Sequence, residues 1–241
     1  MQQFLESVQR DGSRMAQVIG GGDLAAPVPS CPGWTLADLA AHMGFIHRWV
    51  VTAVATCERP RNEDIEGPPV DADAPALGAW LQQGVDTLVT TLAGLEPEAP
   101  TWHPFLAPQV AGIWPRRQAQ ETMIHRWDAE LAVGATGPLD PAIAADGILE
   151  YFEIIVPRVT TRDDRTAPTG VLRIECPDVG LVCTVSSAVT VDVELGDGVV
   201  ATPDATLTGR AEDVLLALWC RRPLPGDHAG LAVEWLSFGG N

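Results

Sequence analysis

Arg117, Glu121 and His125 stand four residues apart in the stretch Arg116-Arg117-Gln118-Ala119-Gln120-Glu121-Thr122-Met123-Ile124-His125-Arg126-Trp127-Asp128. The stretch holds no Gly and no Pro, and Pro115 just before it suits the first turn of a helix. A helix sets the three side chains on one face, with Gln118 and Asp128 flanking the same stripe. A carboxylate and an imidazole one turn apart are half of a divalent-metal site. Charge at helical spacing is more often a solvated face, so a metal reading needs a further ligand from elsewhere in the chain.

His42 supplies it. The turn Val28-Pro29-Ser30-Cys31-Pro32-Gly33-Trp34-Thr35 leads into a helix from Leu36 to about Cys57, with Thr35 as N-cap and Asp38 at N3. His42 lies in the apolar stripe of that helix, with Leu39, Met43, Ile46, Trp49, Val50 and Ala53. A single His on such a face is ordinarily a core residue bonded to a neighbour. Joined to Glu121 and His125, it gives two imidazoles and one carboxylate, which leave coordination positions open as a catalytic zinc requires. The spacing is not H-E-x-x-H, so a metalloprotease is not indicated. His47 is well round the helix from His42 and is expected in the core or exposed, not on the same ion. His103, beside Trp102 in a loop, could contact substrate, but exposure is the commoner reading and is expected. Asp128 is read either as a carboxylate that orients a ligand histidine or as a helix charge paired with Arg.

The elements that must position these residues follow from periodicity. Helices are expected over 3–19, 36–57, 75–95, 115–133 and 141–156, the last limited by Pro157, with an acidic, Pro-rich surface loop at 58–75 and a long Pro-rich connection at 96–114. The character changes after 158. Residues 171–176, 181–185, 189–195 and 205–208 read as strands, with Gly196-Asp197-Gly198 as a hairpin turn; 210–220 reads as a helix, and 232–238 as a last strand. The fold class is thus α + (α+β): a helical domain over 1–158, a linker at 158–170, and a small α+β domain over 171–241. Metal sites in helical bundles are built from inward side chains of facing helices.

Composition excludes several function classes. All 15 basic residues are Arg, against 32 acidic ones, and the net charge is −17. Such a chain lacks the basic face that nucleic acid or an anionic membrane surface requires. The N-terminus has no signal-peptide pattern, and no apolar run reaches the length of a membrane span. Five cysteines, an odd number with no C-x-x-C pair, suggest reduced thiols and a cytoplasmic protein.

Two motifs carry a resemblance. Cys31-Pro-Gly-Trp34-Thr-Leu-Ala-Asp38-Leu-Ala-Ala-His42 and Arg117-x-x-x-Glu121-x-x-x-His125-Arg-Trp-Asp128, in this order, resemble the actinobacterial mycothiol-dependent maleylpyruvate isomerase family. The resemblance implies a DinB-like four-helix bundle whose positions matching His42, Glu121 and His125 bind a divalent metal, usually zinc. Residues 171–241 look like that family's small α+β C-terminal domain. An Arg of that domain contributes to activity in the family; Arg221 or Arg222, in Trp219-Cys-Arg-Arg-Pro223, is the expected counterpart, with Arg222 preferred. On the bundle face, Arg117 and Asp128 are the expected cofactor-side residues, Arg117 as the cation for a carboxylate of thiol or substrate.

The implied activity is a metal-dependent enzyme that activates a low-molecular-weight thiol, mycothiol, towards a small electrophile. Isomerisation would need thiol addition to a double bond, rotation and elimination; S-transfer needs only addition or substitution. The expected partners are this thiol and the electrophile, without nucleic acid or membrane, in a monomer or homodimer. Two alternatives stand beside it: a non-catalytic binding or regulatory protein that keeps the metal for stability, and a metal-assisted hydrolase.

Overall fold

A computed structural model describes residues 1–163, 165–187, 191–196 and 202–239 of the chain. It divides into two compact units, Met1–His103 with Pro108–Gly137, and Pro104–Ala107 with Pro138–Asn241.

The first unit is helical: α1 (Gln2–Gly21), α2 (Leu36–Thr56), α3 (Ala74–Ala93) and α4 (Ile113–Ala132). Each of α1 and α2 packs against both α3 and α4. Met15, Ile19, Leu36, Leu39, Met43 and Leu81 are fully buried in their common core, each contributing about 1.5–3 kcal/mol of apolar burial. Glycine lets α2 and α3 approach closely just beyond His42. A Cβ at Gly44 would stand 2.0 Å from the Trp80 ring, so any other residue there would have to displace that buried ring or the helix.

α4 departs from the solvated face that its charges suggest. Arg117, Arg126, Asp128 and Glu130 are all buried. For Arg126 and Glu130, which also pair with each other, partners on α1 make this possible: Arg126 Nε lies 3.3 Å from Asp11 Oδ1, Arg126 Nη1 donates to Glu130 Oε2 at 2.7 Å, and Arg14 Nε donates to Glu130 Oε1 at 2.7 Å. Buried charges persist only when paired and hydrogen-bonded in this way. The network fixes the rotation of α4 about its own axis, and so decides which way Glu121 and His125 face.

The second unit is α+β. It contains α5 (Pro141–Glu150), a π turn over Tyr151–Ile155, and α6 (Val156–Arg162). These are followed by β1 (Gly170–Cys176), β2 (Leu181–Ser187), β3 (Val191–Leu195), β4 (Ala205–Thr208), α7 (Ala211–Leu218) and α8 (Leu231–Phe238). The strand order is β3-β2-β1-β4, with β1 antiparallel to β2, β2 antiparallel to β3, and β1 parallel to β4.

Several sequence expectations are corrected here. The boundary falls between Gly137 and Pro138 rather than near 158, because α5 packs on α7 within the second unit. The helix does not stop before Pro157. The π turn resets the ladder, and Pro157 then occupies the first turn of α6, where its missing N–H costs nothing. Residues 232–238 are helical, not a strand; Leu231, Ala232, Trp235 and Phe238 are buried at helical spacing. Among the described strands, β3 and β4 are not neighbours in the sheet. Asp197 and Gly198 of the expected hairpin turn, and the expected strand start at Val189 and Thr190, lie outside the described residues. Among the described residues, no helix is long and apolar enough to cross a membrane.

Candidate metal centre

The segment before α2 is built as a pair of locked turns. Trp34 N–H donates to Cys31 O at 3.0 Å, closing a turn with Pro32 second and Gly33 third. Gly33 has φ +85°, which a type II turn demands at that position. Cys31 N–H donates to Val28 O at 3.0 Å and Val28 N–H to Trp34 O at 2.9 Å, so the loop folds on itself. Thr35 then caps α2: Asp38 N–H donates to Thr35 Oγ1 at 3.3 Å, and Thr35 N–H donates to Asp38 Oδ2 at 2.8 Å. Such a reciprocal cap is worth about 1 kcal/mol. It starts α2 at a fixed residue and thereby sets the height and direction of His42.

His42 and the α4 pair meet across the helices. His42 Nε2 lies 3.4 Å and His125 Nε2 3.6 Å from Glu121 Oε1, and the donor atoms of all three residues lie within 4.8 Å of one another. A tetrahedral zinc with nitrogen and oxygen ligands about 2.0–2.1 Å away holds neighbouring ligand atoms roughly 3.3 Å apart. The donor set and the spacing therefore fit such an ion.

An outer partner turns each α4 donor inward. Arg117 donates to Glu121 Oε2 at 2.8 Å, leaving Oε1 for the centre. His125 Nδ1 is 2.8 Å from Asp128 Oδ2. An ionised carboxylate accepts only, so Nδ1 carries a proton and Nε2 is the nitrogen turned towards Glu121. The Cys31 thiol donates to the same Asp128 oxygen at 3.5 Å. The Trp34 ring flanks both imidazoles, with its centroid 4.9 Å from that of His42 and 6.4 Å, nearly parallel, from that of His125.

Without an ion the cluster is charged. Burial works against ionised Glu121, but hydrogen bonds from His125 and His42 and the Arg117 charge hold its carboxyl well below the usual range. Burial likewise opposes protonated His125, yet hydrogen bonds to Asp128, Cys31 and Glu121 raise it well above its ordinary value. A proton thus occupies the place that a cation would take.

The remaining histidines of this unit are structural. His47 is fully buried, its Nε2 3.1 Å from Thr122 Oγ1, and burial pushes it down to about 3. His103 is buried, contrary to its expected exposure. Its Nε2–H donates to Pro108 O at 2.8 Å, and Gln109 lies 3.2 Å from its Nδ1. The connection there is organised by Thr101 N–H donating to Gln109 O and Ala111 N–H to Ala99 O, which closes the loop round the ring.

The other candidates fall in different places. Arg117 is nearly buried and donates to Glu121 Oε2. Asp128 is fully buried, with its Oδ2 against His125 Nδ1, and is not a surface charge. Arg221 Nη1 donates to Trp219 O at 3.0 Å. Arg222 donates to Glu212 Oε1 at 3.2 Å and also pairs with Asp213, both on α7. Cys31 and Trp34 are the two residues at the centre that ligand-type reasoning passes over. Their signal was membership of the motif that ends at His42.

A family model described as the mycothiol maleylpyruvate isomerase N-terminal domain matches residues 5–130, just over half of the 241-residue chain. The chain belongs to this family. Comparison with curated proteins and with solved structures gives no match. The part matched to the mycothiol maleylpyruvate isomerase N-terminal domain contains the Cys31–His42 motif and the Arg117–Asp128 motif whole; Arg221 and Arg222 lie beyond it.

Proposed function

We propose that this chain is a divalent-metal-dependent enzyme that activates mycothiol towards a small electrophile, by thiol-assisted cis–trans isomerisation or by S-transfer. The reading rests on one observation: two imidazoles and a carboxylate converge, each α4 donor turned inward by its own outer partner. Family membership supplies the thiol. We read the four helices as the family's DinB-like bundle, and the second unit as the counterpart of its C-terminal domain.

When bound, a zinc ion with one carboxylate ligand keeps net positive charge and favours an incoming thiol as its thiolate. The residues of the chain prepare that role. Asp128 holds His125 in the tautomer that presents Nε2, Arg117 keeps Glu121 ionised and monodentate, and the Trp34 ring walls one side. Arg222, with Arg221, is the candidate to receive a substrate carboxylate, where its planar fork would fix orientation as well as bind.

The test is turnover of zinc-loaded protein with a panel of small electrophiles, maleylpyruvate included, with and without mycothiol. The expected result is turnover that requires both thiol and metal. Turnover with water alone would make it a hydrolase, and none with any electrophile, despite bound zinc, would make it a binding protein.

A further inference from the structure

Asp128 Oδ2 accepts two hydrogen bonds, from His125 Nδ1 at 2.8 Å and from the Cys31 thiol at 3.5 Å. The Asp128 side chain is 0% exposed, and Cys31 is buried beside it. A carboxylate removed from water keeps its charge only where donors replace the water. Asp128 also has to hold one rotamer, because the direction of its oxygen decides where His125 Nε2 points. Cys31 is suited to fix it. Its backbone is tied on both sides by Cys31 N–H to Val28 O and Trp34 N–H to Cys31 O, so the thiol approaches Asp128 from a rigid turn.

We infer that Cys31 is a positioning residue of the metal centre, whose thiol pins the Asp128 carboxylate that orients His125. The inference rests on reading His42, Glu121 and His125 as metal ligands. Cys31, His125 and Asp128 also form a three-donor group of their own. An ion seated there would take the Nδ1 lone pair of His125 in place of its hydrogen bond to Asp128, and a neutral imidazole has only one lone pair, so the ring cannot serve both groups at once. The competing role for Cys31 is packing alone, since it also belongs to the apolar core that holds Val28, Leu36 and Leu39. Packing asks for a small side chain; pinning Asp128 asks for a donor.

That difference sets the experiment. Wild type, Cys31→Ser, Cys31→Ala and Cys31→Val are stripped of metal and titrated with Zn²⁺ against a chromophoric chelator. Thermal unfolding of the metal-free forms serves as the packing control. Loss of an outer partner typically weakens metal binding by about 10–100-fold, so Cys31→Ala and Cys31→Val are expected to lose about tenfold while Cys31→Ser stays close to wild type. Val fills the volume without a donor, and therefore decides the case even if Ala unfolds. Equal affinity in all four proteins, or equal loss in Ser, Ala and Val, would overturn the role of Cys31 and leave the metal centre standing. Failure of wild type itself to take up zinc would overturn the centre, and this inference with it.

Discussion

His125 Nδ1 lies 2.8 Å from Asp128 Oδ2, and these two residues are three apart on α4. One hydrogen bond, formed within a single turn of one helix, decides which nitrogen of the imidazole is free to bind a cation.

Asp128→Asn tests it. The amide keeps the shape but presents either an N–H or a weaker carbonyl to the ring, so the tautomer and its basicity both suffer. Zinc affinity should fall about 10–100-fold with little change in the helical circular dichroism. Unchanged affinity would mean that His125 needs no orienting partner.

Metal content tests the ligands themselves. The protein should carry close to one divalent ion per chain, and His42→Ala or His125→Ala should lose it yet stay folded, because the core of Met15, Ile19, Leu39, Met43 and Leu81 is untouched. Full metal in both variants by elemental analysis would exclude the site.

Proton release follows from His125. Its folded pKa is raised well above the ordinary value, chiefly by Asp128, Cys31 and Glu121 working against burial. The metal-free ring therefore holds its proton more tightly than a free imidazole, and a cation must displace that proton. Calorimetry in buffers of different ionisation enthalpy should show about one proton released per ion, with affinity rising as pH rises towards the folded pKa. Binding without proton release at pH 7 would refute this picture of the centre.

His47 predicts the acid limb of stability. Burial depresses it from 6.5 to about 3, so between those values the unfolded chain binds a proton that the folded chain refuses. Its contribution is fully present above pH 6.5 and is lost as pH falls towards 3, at up to about 1.4 kcal/mol per pH unit. Urea midpoints of metal-free protein should fall more steeply below pH 6.5 than those of His47→Gln. Parallel curves would show that His47 is not the group responsible.

Arg222→Lys keeps the charge and loses the fork. On a working substrate it should lower turnover while leaving zinc content at the wild-type level. Since Arg222 also pairs with Glu212 and Asp213, the second unit should lose some thermal stability as well. Wild-type rates in Arg222→Lys and Arg221→Lys alike would remove these residues from the chemistry.

The sequence by itself determined what local bonds and short periods determine. The face shared by Arg117, Glu121 and His125 follows from a spacing of four on a helix, and the start of α2 from Thr35 and Asp38, which satisfy each other's backbone within one turn. The two motifs were enough to recognise the family. Tertiary structure decided everything that depends on a partner distant along the chain. Only the packing of α2 against α4 brings His42 3.4 Å from Glu121, 79 residues away. The charges of α4 read as a solvated face because Asp11 and Arg14, which neutralise them, lie on α1. Leu231–Phe238 satisfies a strand alternation and a helical period at once over eight residues, and the burial of Trp235 and Phe238 settles it as a helix. Cys31 and Trp34 look like turn residues because their neighbours at the centre, Asp128 and His125, are supplied by another helix.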